Sequence, residues 1–312
     1  MALTPEQRAE IDGLREQRAP TRRVVVEAME WLLYEPIPVL DHGFVRVIDY
    51  MGDDAAVVQA ARVSYGRGTR QVSSDKALID YLLRHRHTSP FEMCELKLHV
   101  KLPIFVARQW IRHRTANVNE YSARYSVLDE EVYVPASGDV AVQSASNRQG
   151  RGASLDPAEA EAVRRRIAAS GREAFVAYRE LLNADDSGAP CDPARPQVAR
   201  ELARAVLPLS TYSQWYWKID LHNLLHFIAL RADPHAQYEI RAYADVLLDI
   251  VRRWVPLTAE AFENHRVNAV TFSARALAVL RRMLDGEAVT QESSGLGARE
   301  WREVMSALGR TA

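Results

Sequence analysis

Hydrophobic and polar positions along the chain change period several times, and each change marks an element. At the N-terminus "TPEQ" sets Thr4 before Pro5 with Gln7 three residues on, the start of a polar helix predicted to end near Pro20. A second helix is predicted over "RRVVVEAMEWLLYE" (22–35), stopping before Pro36, and "HGFVRVIDYMG" (42–52) reads as a strand. "DDAAVVQAARVSY" (53–65) and "SSDKALIDYLLRH" (73–85) read as helices; in the second, Leu78, Tyr81, Leu82 and His85 form one stripe, and Pro90 ends it. "ELKLHVK" (95–101) alternates so regularly that Leu96, Leu98 and Val100 share one face of a strand. Pro103 opens a helix, "PIFVARQWIRH", after which periodicity lapses. "RHRTANVNEYSARYS" (112–126) therefore reads as a loop, followed by a short strand "EEVYVP" (130–135).

From Ala136 to Leu155 the composition shifts to Ser, Gly, Gln and Asn, which predicts a mobile surface insertion, before Asp156, Pro157 and Glu159 cap a long helix. The remainder reads as nearly all helix: "PQVARELARAVLP", "IDLHNLLHFIALRA", "HAQYEIRAYADVLLDIVRRW" and "TAEAFENHR", with two weaker amphipathic helices after Phe272. Few strands, many helices in irregular order and no internal repeat predict an α+β fold.

Composition narrows the function classes. The chain has 312 residues, 47% of them hydrophobic, enough for a substantial core. Forty Lys plus Arg against 41 Asp plus Glu, and a pI near 6.8, give no global attraction to nucleic acid or an anionic membrane, so any anion must be bound by a local site. Cys94 and Cys191 are the only cysteines, too few for a disulfide scaffold or a four-cysteine zinc site. The start "MALTPEQRAEIDGL" has no secretory apolar region, and no run of ~18 apolar residues is present to span a bilayer. These features predict a cytoplasmic protein.

Against that balance, Lys101 to Tyr125 holds five Lys or Arg residues and one acid, Glu120. Arg112, His113 and Arg114 fit a solvated basic turn. On an extended segment, however, Glu120, Ser122 and Arg124 would project to one side as acceptor, hydroxyl and cation, and guanidinium groups suit bidentate phosphate binding. Arg-His-Arg, seven residues, then Ser resembles the signature of the flavin-dependent thymidylate synthases. "RHRHTSPFEM" (84–93), "PIFVARQWIRHR" (103–114), "ARAVLPLSTYSQWYW" (203–217) and "LHNLLHFIALRADPHAQYEIR" (221–241) resemble that family's blocks, in order. Asn117 departs from it, standing where many members carry Ser.

The resemblance, from about His42 to about His265, implies an antiparallel sheet flanked by helices in a domain over 39–268, between helical extensions at 1–38 and 269–312. It implies reductive methylation of dUMP to dTMP, with methylenetetrahydrofolate as carbon donor and FAD, reduced by NADPH, as hydride source. By resemblance, Gln109, Arg112, Glu120, Ser122, Arg124, Arg204 and Arg231 hold dUMP. His87, Ser89, Arg112, His113, Arg114, Glu120, Asp220, His222 and His226 touch FAD. A homotetramer with shared sites is implied too, and the chain has no dinucleotide-binding glycine motif of its own.

The residues themselves leave alternatives. Arg204 lies four residues after Arg200, a repulsive helical spacing that either a phosphate or Glu201 and solvent relieves. Arg231 shares a helix face with Leu224, Phe227 and Ile228 and needs an acceptor: Asp233, Glu239, water, or a pyrimidine that becomes anionic as uracil N3 ionises. His222 and His226 have metal-ligand spacing but no third ligand, so no metal is expected; a metal hydrolase is the rival reading there. His87 either meets a ligand or caps the preceding helix. A nucleic-acid module would need a wider basic face than this pI allows. Cys94, in phase with Leu96 and Leu98, is expected inward and inert, and Cys191 in a loop.

Overall fold

The capping residues at the N-terminus form the box they predict. In the computed structural model, which describes residues 3–63, 75–145, 150–185 and 188–311, helix α1 (Pro5–Glu16) begins where Thr4 accepts from the Gln7 amide and the Gln7 side chain accepts from the Thr4 amide. The second predicted helix shrinks to one turn, α2 (Glu27–Glu30). Val26 at its start offers no capping side chain and stays extended, as a β-branched run favours, and Tyr34 turns the chain with a φ of 66°. The Tyr34 amide then donates to the Val47 carbonyl, so the segment is tied to the sheet instead of to its own helix.

The strands are β1 (Pro36–Val39), β2 (Gly43–Met51), β3 (Glu95–Pro103), β4 (Asn117–Glu120), β5 (Ala141–Gln143), β6 (Arg151–Ser154) and β7 (Tyr212–Asp220). Five form an antiparallel sheet in the order β1-β2-β3-β7-β4, and β5 and β6 form a separate hairpin. Leu96, Leu98 and Val100 do share a buried face. Leu98 lies opposite Trp217 and Val100 opposite Trp215, so both tryptophans face the same core.

Among the described residues, five strands escaped the sequence reading: β1, β4, β7 and the β5–β6 pair. In β7 the inward residues Ser213, Trp215, Trp217 and Ile219 alternate with Gln214, Tyr216 and Lys218, but outward-facing Tyr216 blurs the period. All four residues of β4 are exposed, so no hydrophobic pattern announces it. The predicted strand at 130–135 reduces to a bridge between Val132 and Thr211, ending before Pro135, which has no amide proton to extend the ladder. The described part of the 136–155 insertion is not structureless, since it carries a turn at Ser137–Asp139 and the β5–β6 hairpin.

Helices α3 (Asp54–Val63), α4 (Asp75–Arg84), α5 (Ile104–Trp110), α6 (Pro157–Leu182), α7 (Arg200–Ala203), α8 (Leu221–Arg231) and α9 (Tyr238–Trp254) complete the first compact unit, Met1–Ala261. Asp156 caps α6 as predicted, accepting from the Ala158 and Glu159 amides. In α4 the buried face is Ile79, Leu82 and Leu83, while Tyr81 and His85 of the predicted stripe are exposed. Ser64, Tyr65, Ser73 and Ser74, at the ends of the two predicted helices, lie outside the described residues. The helix expected over 196–208 is a single turn, α7, passing into a tighter turn at Arg204–Val206. A second unit, Phe262–Ala312, gathers α11 (Ala274–Leu284), α12 (Gln291–Ser294) and α13 (Ala298–Ala307) around Val279, Trp301, Val304 and Met305; α10 (Pro256–Phe262) precedes them. No helix among the described residues is long and apolar enough to cross a membrane.

Two contacts yield tests. Tyr243 of α9 donates to the Lys101 carbonyl at 2.7 Å, directly over Gly43, where a Cβ would sit 2.0 Å from the phenol oxygen and 2.8 Å from that carbonyl. Gly43→Ala should therefore cost about 1–3 kcal/mol of stability through overpacking, read from chemical denaturation. On the sheet's polar side, His99 accepts from Arg46 at 2.7 Å, meets Gln214 at 2.9 Å and stacks on Tyr216. Burial, then the Arg46 charge, lowers its pKa from 6.5 to about 4. Between those values the unfolded chain takes up a proton that the folded chain refuses, so stability should fall as pH drops from 6.5 toward 4. His99→Gln should flatten that part of the urea-midpoint profile; an unchanged slope would refute the assignment.

Candidate active site

Helix α5 delivers the arginine-rich motif. Trp110, fully buried, sits edge-on to Trp215 and Trp217 with centroids at 5.8 and 5.1 Å, and this fixes where the helix ends. Gln109, Arg112, His113 and Arg114 emerge around that end, with Arg112 and Arg114 exposed. His113 turns inward between Phe227, at 4.8 Å, and His226, at 5.8 Å.

Arg231, in the last turn of α8, donates from Nε to His113 Nε2 at 3.1 Å and from Nη2 to the Gln109 carbonyl at 3.5 Å. An arginine cannot accept, so His113 Nε2 is the acceptor and the ring proton resides on Nδ1. Burial first, then the Arg231 charge, lowers the His113 pKa to about 4, so the imidazole is neutral at physiological pH. Burial also lowers the pKa of Arg231, which has no carboxylate partner among the described residues. Of the acceptors anticipated for it, Asp233 engages His235, and Glu239 engages Tyr133, Arg151 and Gln237. The guanidinium thus retains its charge against neutral partners.

A second cluster follows β4. Glu120 ends that strand and accepts from buried Ser213 at 2.8 Å. Past it the chain does not stay extended: the Ser122 carbonyl accepts from the Tyr125 and Ser126 amides, and Ser122 Oγ from the Arg124 amide. The anticipated alternation of Glu120, Ser122 and Arg124 is therefore replaced by a turn. Ser favours such turns, and Ala123 is drawn into a buried cluster with Leu128, Phe175 and Tyr178. Arg124 lies over the Tyr125 ring at 5.5 Å, and Arg200 donates to the Tyr125 carbonyl at 2.6 Å. Arg204 contacts the Glu201 backbone carbonyl, not its carboxylate. With α7 only one turn long, the predicted helical Arg200–Arg204 pair gives way to two guanidinium groups held by backbone oxygens.

The third group lies around the start of α8. Asp220 caps that helix, with Oδ1 accepting from the Asn223 amide and Oδ2 from its side chain. His222 is half-buried and His226 exposed. The turn Ser89–Met93 packs against α8, and the His87 amide donates to the Leu82 carbonyl while its ring joins Tyr81 and His85. Among the described residues no three His, Cys, Asp or Glu side chains converge on a metal position. Cys94 is buried as expected, its thiol pushed up to about 12 by burial and then by Asp53 and Asp54; Cys191 is exposed. The donor set suits an anionic, aromatic ligand such as a flavin nucleotide. Two exposed arginines without carboxylate partners among the described residues flank a neutral imidazole and a phenylalanine ring.

The sequence reading did not single out Ser213 or Gln237. Both lie in stretches already quoted, yet only the fold brings them to Glu120 and Gln109.

Residues 46–257 match the family described as thymidylate synthase complementing protein. The flavin-dependent thymidylate synthase of Gluconobacter oxydans is 61% identical over 308 residues, 99% of each chain. That of Ruegeria pomeroyi is 60% identical over 310 residues, covering 99% of this chain and 100% of the other. Among solved structures, a UMP/dUMP methylase from Streptomyces cacaoi bound with 5-Br UMP superposes with a TM-score of 0.64 at 34% identity, covering 74% of this chain and 98% of that one. With this coverage, over a sheet and helices that match the expected architecture, the chain belongs to the flavin-dependent thymidylate synthases, the thymidylate synthase complementing protein family.

Proposed function

We propose that this chain converts dUMP to dTMP, taking the carbon from methylenetetrahydrofolate and the reducing equivalents from NADPH through FAD. The methylene carbon must gain two electrons to become a methyl group, and NADPH supplies them, so tetrahydrofolate leaves unoxidised. The chemistry supplied by bound FAD is hydride delivery. Everything else falls to side chains of the protein, arranged in a cytoplasmic homotetramer whose sites draw on more than one copy.

The observation that carries this reading is Arg231, a half-buried cation held by the neutral His113 ring and a backbone carbonyl. Because no carboxylate among the described residues cancels it, its charge is available to a uracil that becomes anionic, which raises electron density at C5. His113 fixes the guanidinium by its Nε and the Gln109 carbonyl fixes it by its Nη2, which leaves Nη1 for the ligand. Gln109 and Arg112 join it on dUMP, as do Glu120, Ser122, Arg124 and Arg204, the arginines taking the phosphate. His87, Ser89, Arg112, His113, Arg114, Glu120, Asp220, His222 and His226 hold FAD. No thiolate addition at C6 is needed, and Cys94, buried with its thiol at about 12, is unsuited to provide one.

Two experiments test the reading. The Cys94→Ala, Cys191→Ala double variant, once shown by its absorption spectrum to carry flavin, should keep forming dTMP; complete loss of turnover would refute thiol-free chemistry. Arg204→Ala should mainly raise the KM for dUMP, since a phosphate contact is equal in ground and transition states. Arg231→Ala should instead lose ~10²-fold or more in rate at saturating dUMP, because a contact to developing ring charge strengthens as the reaction proceeds. Flavin reduction by NADPH should survive both. If reduced Arg231→Ala enzyme is oxidised by saturating dUMP and methylenetetrahydrofolate as fast as wild type, Arg231 is merely structural.

A further inference from the structure

Glu239 is a carboxylate placed where carboxylates seldom sit. It is 2% exposed, in the first turn of α9, and pairs with Arg151, which reaches in from the β5–β6 hairpin. Tyr133 donates to its Oε1 at 3.0 Å, and burial followed by the Glu239 charge raises the Tyr133 pKa, so that phenol remains a donor. Oε2 receives Gln237 Nε2 at 2.8 Å. The Gln237 amide, with its nitrogen committed to Glu239, presents its oxygen on the other side, and Gln109 Nε2 donates to it. Each step fixes the next by donor and acceptor identity alone: a charge-paired carboxylate only accepts, so Gln237 points its NH2 inward, so Gln109 must point its NH2 at Gln237. Among the described residues no donor reaches Gln109 Oε1.

We propose that Glu239 is a positioning residue for the nucleotide site. Through Gln237 it sets the orientation of the Gln109 amide, so that Gln109 presents its oxygen to a hydrogen-bond donor of dUMP beside Arg231. The inference rests on the reading of Gln109 as a dUMP residue and adds to it a buried acid, the bridging amide and the hairpin arginine. Without the relay, an amide side chain samples both flips and offers NH2 where an acceptor is required.

The test is a set of double-mutant cycles read in steady-state kinetics with dUMP as the varied substrate. Glu239→Gln keeps the shape but lets Gln237 turn over; Gln237→Met breaks the relay at an exposed position, away from the core, and so remains informative even if the buried variant folds poorly. Each should raise the KM for dUMP roughly 10-fold, the scale of one well-placed hydrogen bond, with kcat and flavin content little changed. In a Gln109→Ala background neither should add a further penalty. The relay is overturned if either variant has a wild-type KM, if kcat falls instead, or if Glu239→Gln costs as much without Gln109 as with it. A wild-type KM in Gln109→Ala alone would remove Gln109 from the dUMP site, and the relay with it, while leaving the activity assignment standing.

Discussion

Burial of Trp110 is the constraint on which the arrangement of the site depends. Its ring lies edge-on to Trp215, Trp217 and Tyr243 and tilted against Phe227 at 4.6 Å, linking α5, β7, α8 and α9 in one aromatic layer. Truncating a buried tryptophan costs about 3–5 kcal/mol, so the end of α5 has little freedom to move relative to the sheet. Among the described residues, the buried indole nitrogens of Trp110, Trp215 and Trp217 have no conventional acceptor, an unmet cost of about 1–3 kcal/mol each. The layer is held by the shape of its perpendicular ring contacts and not by hydrogen bonds of these indoles.

From that fixed point the electrostatics follow. Residues on the buried side of the helix end meet Phe227 and α8, and the low-dielectric contact keeps His113 neutral while Arg231 remains cationic. Residues on the outer side, Arg112 and Arg114, remain solvated. One short motif therefore supplies both a neutral acceptor that holds a cation and two solvated cations with no carboxylate partner among the described residues. The acids nearby are engaged elsewhere: Asp220 by a helix start, Glu120 by Ser213 and Glu239 by Arg151 and Tyr133. That division keeps the positive charge of the site from being cancelled by neighbouring carboxylates.

The sequence by itself determined the elements whose signals are local. The capping box at Thr4, the N-cap at Asp156 and the alternation of Leu96, Leu98 and Val100 depend on residues within a few positions of one another, and they were legible as written. The Arg-His-Arg motif was legible too, because a concentration of guanidinium groups in a neutral chain is itself a local signal. Tertiary structure decided the rest. Exposed β4 exists only because β7 offers it an edge, and the turn at Ser122 forms where Ala123 finds a buried cluster on α6. The partner of Arg231 came from residue 113 instead of from the acids at 233 and 239, and Glu239 reaches the site only through Gln237. Hydrogen-bond partners across more than a hundred residues of sequence are chosen by how helices pack on the sheet, and no local pattern of hydrophobic and polar positions encodes that choice.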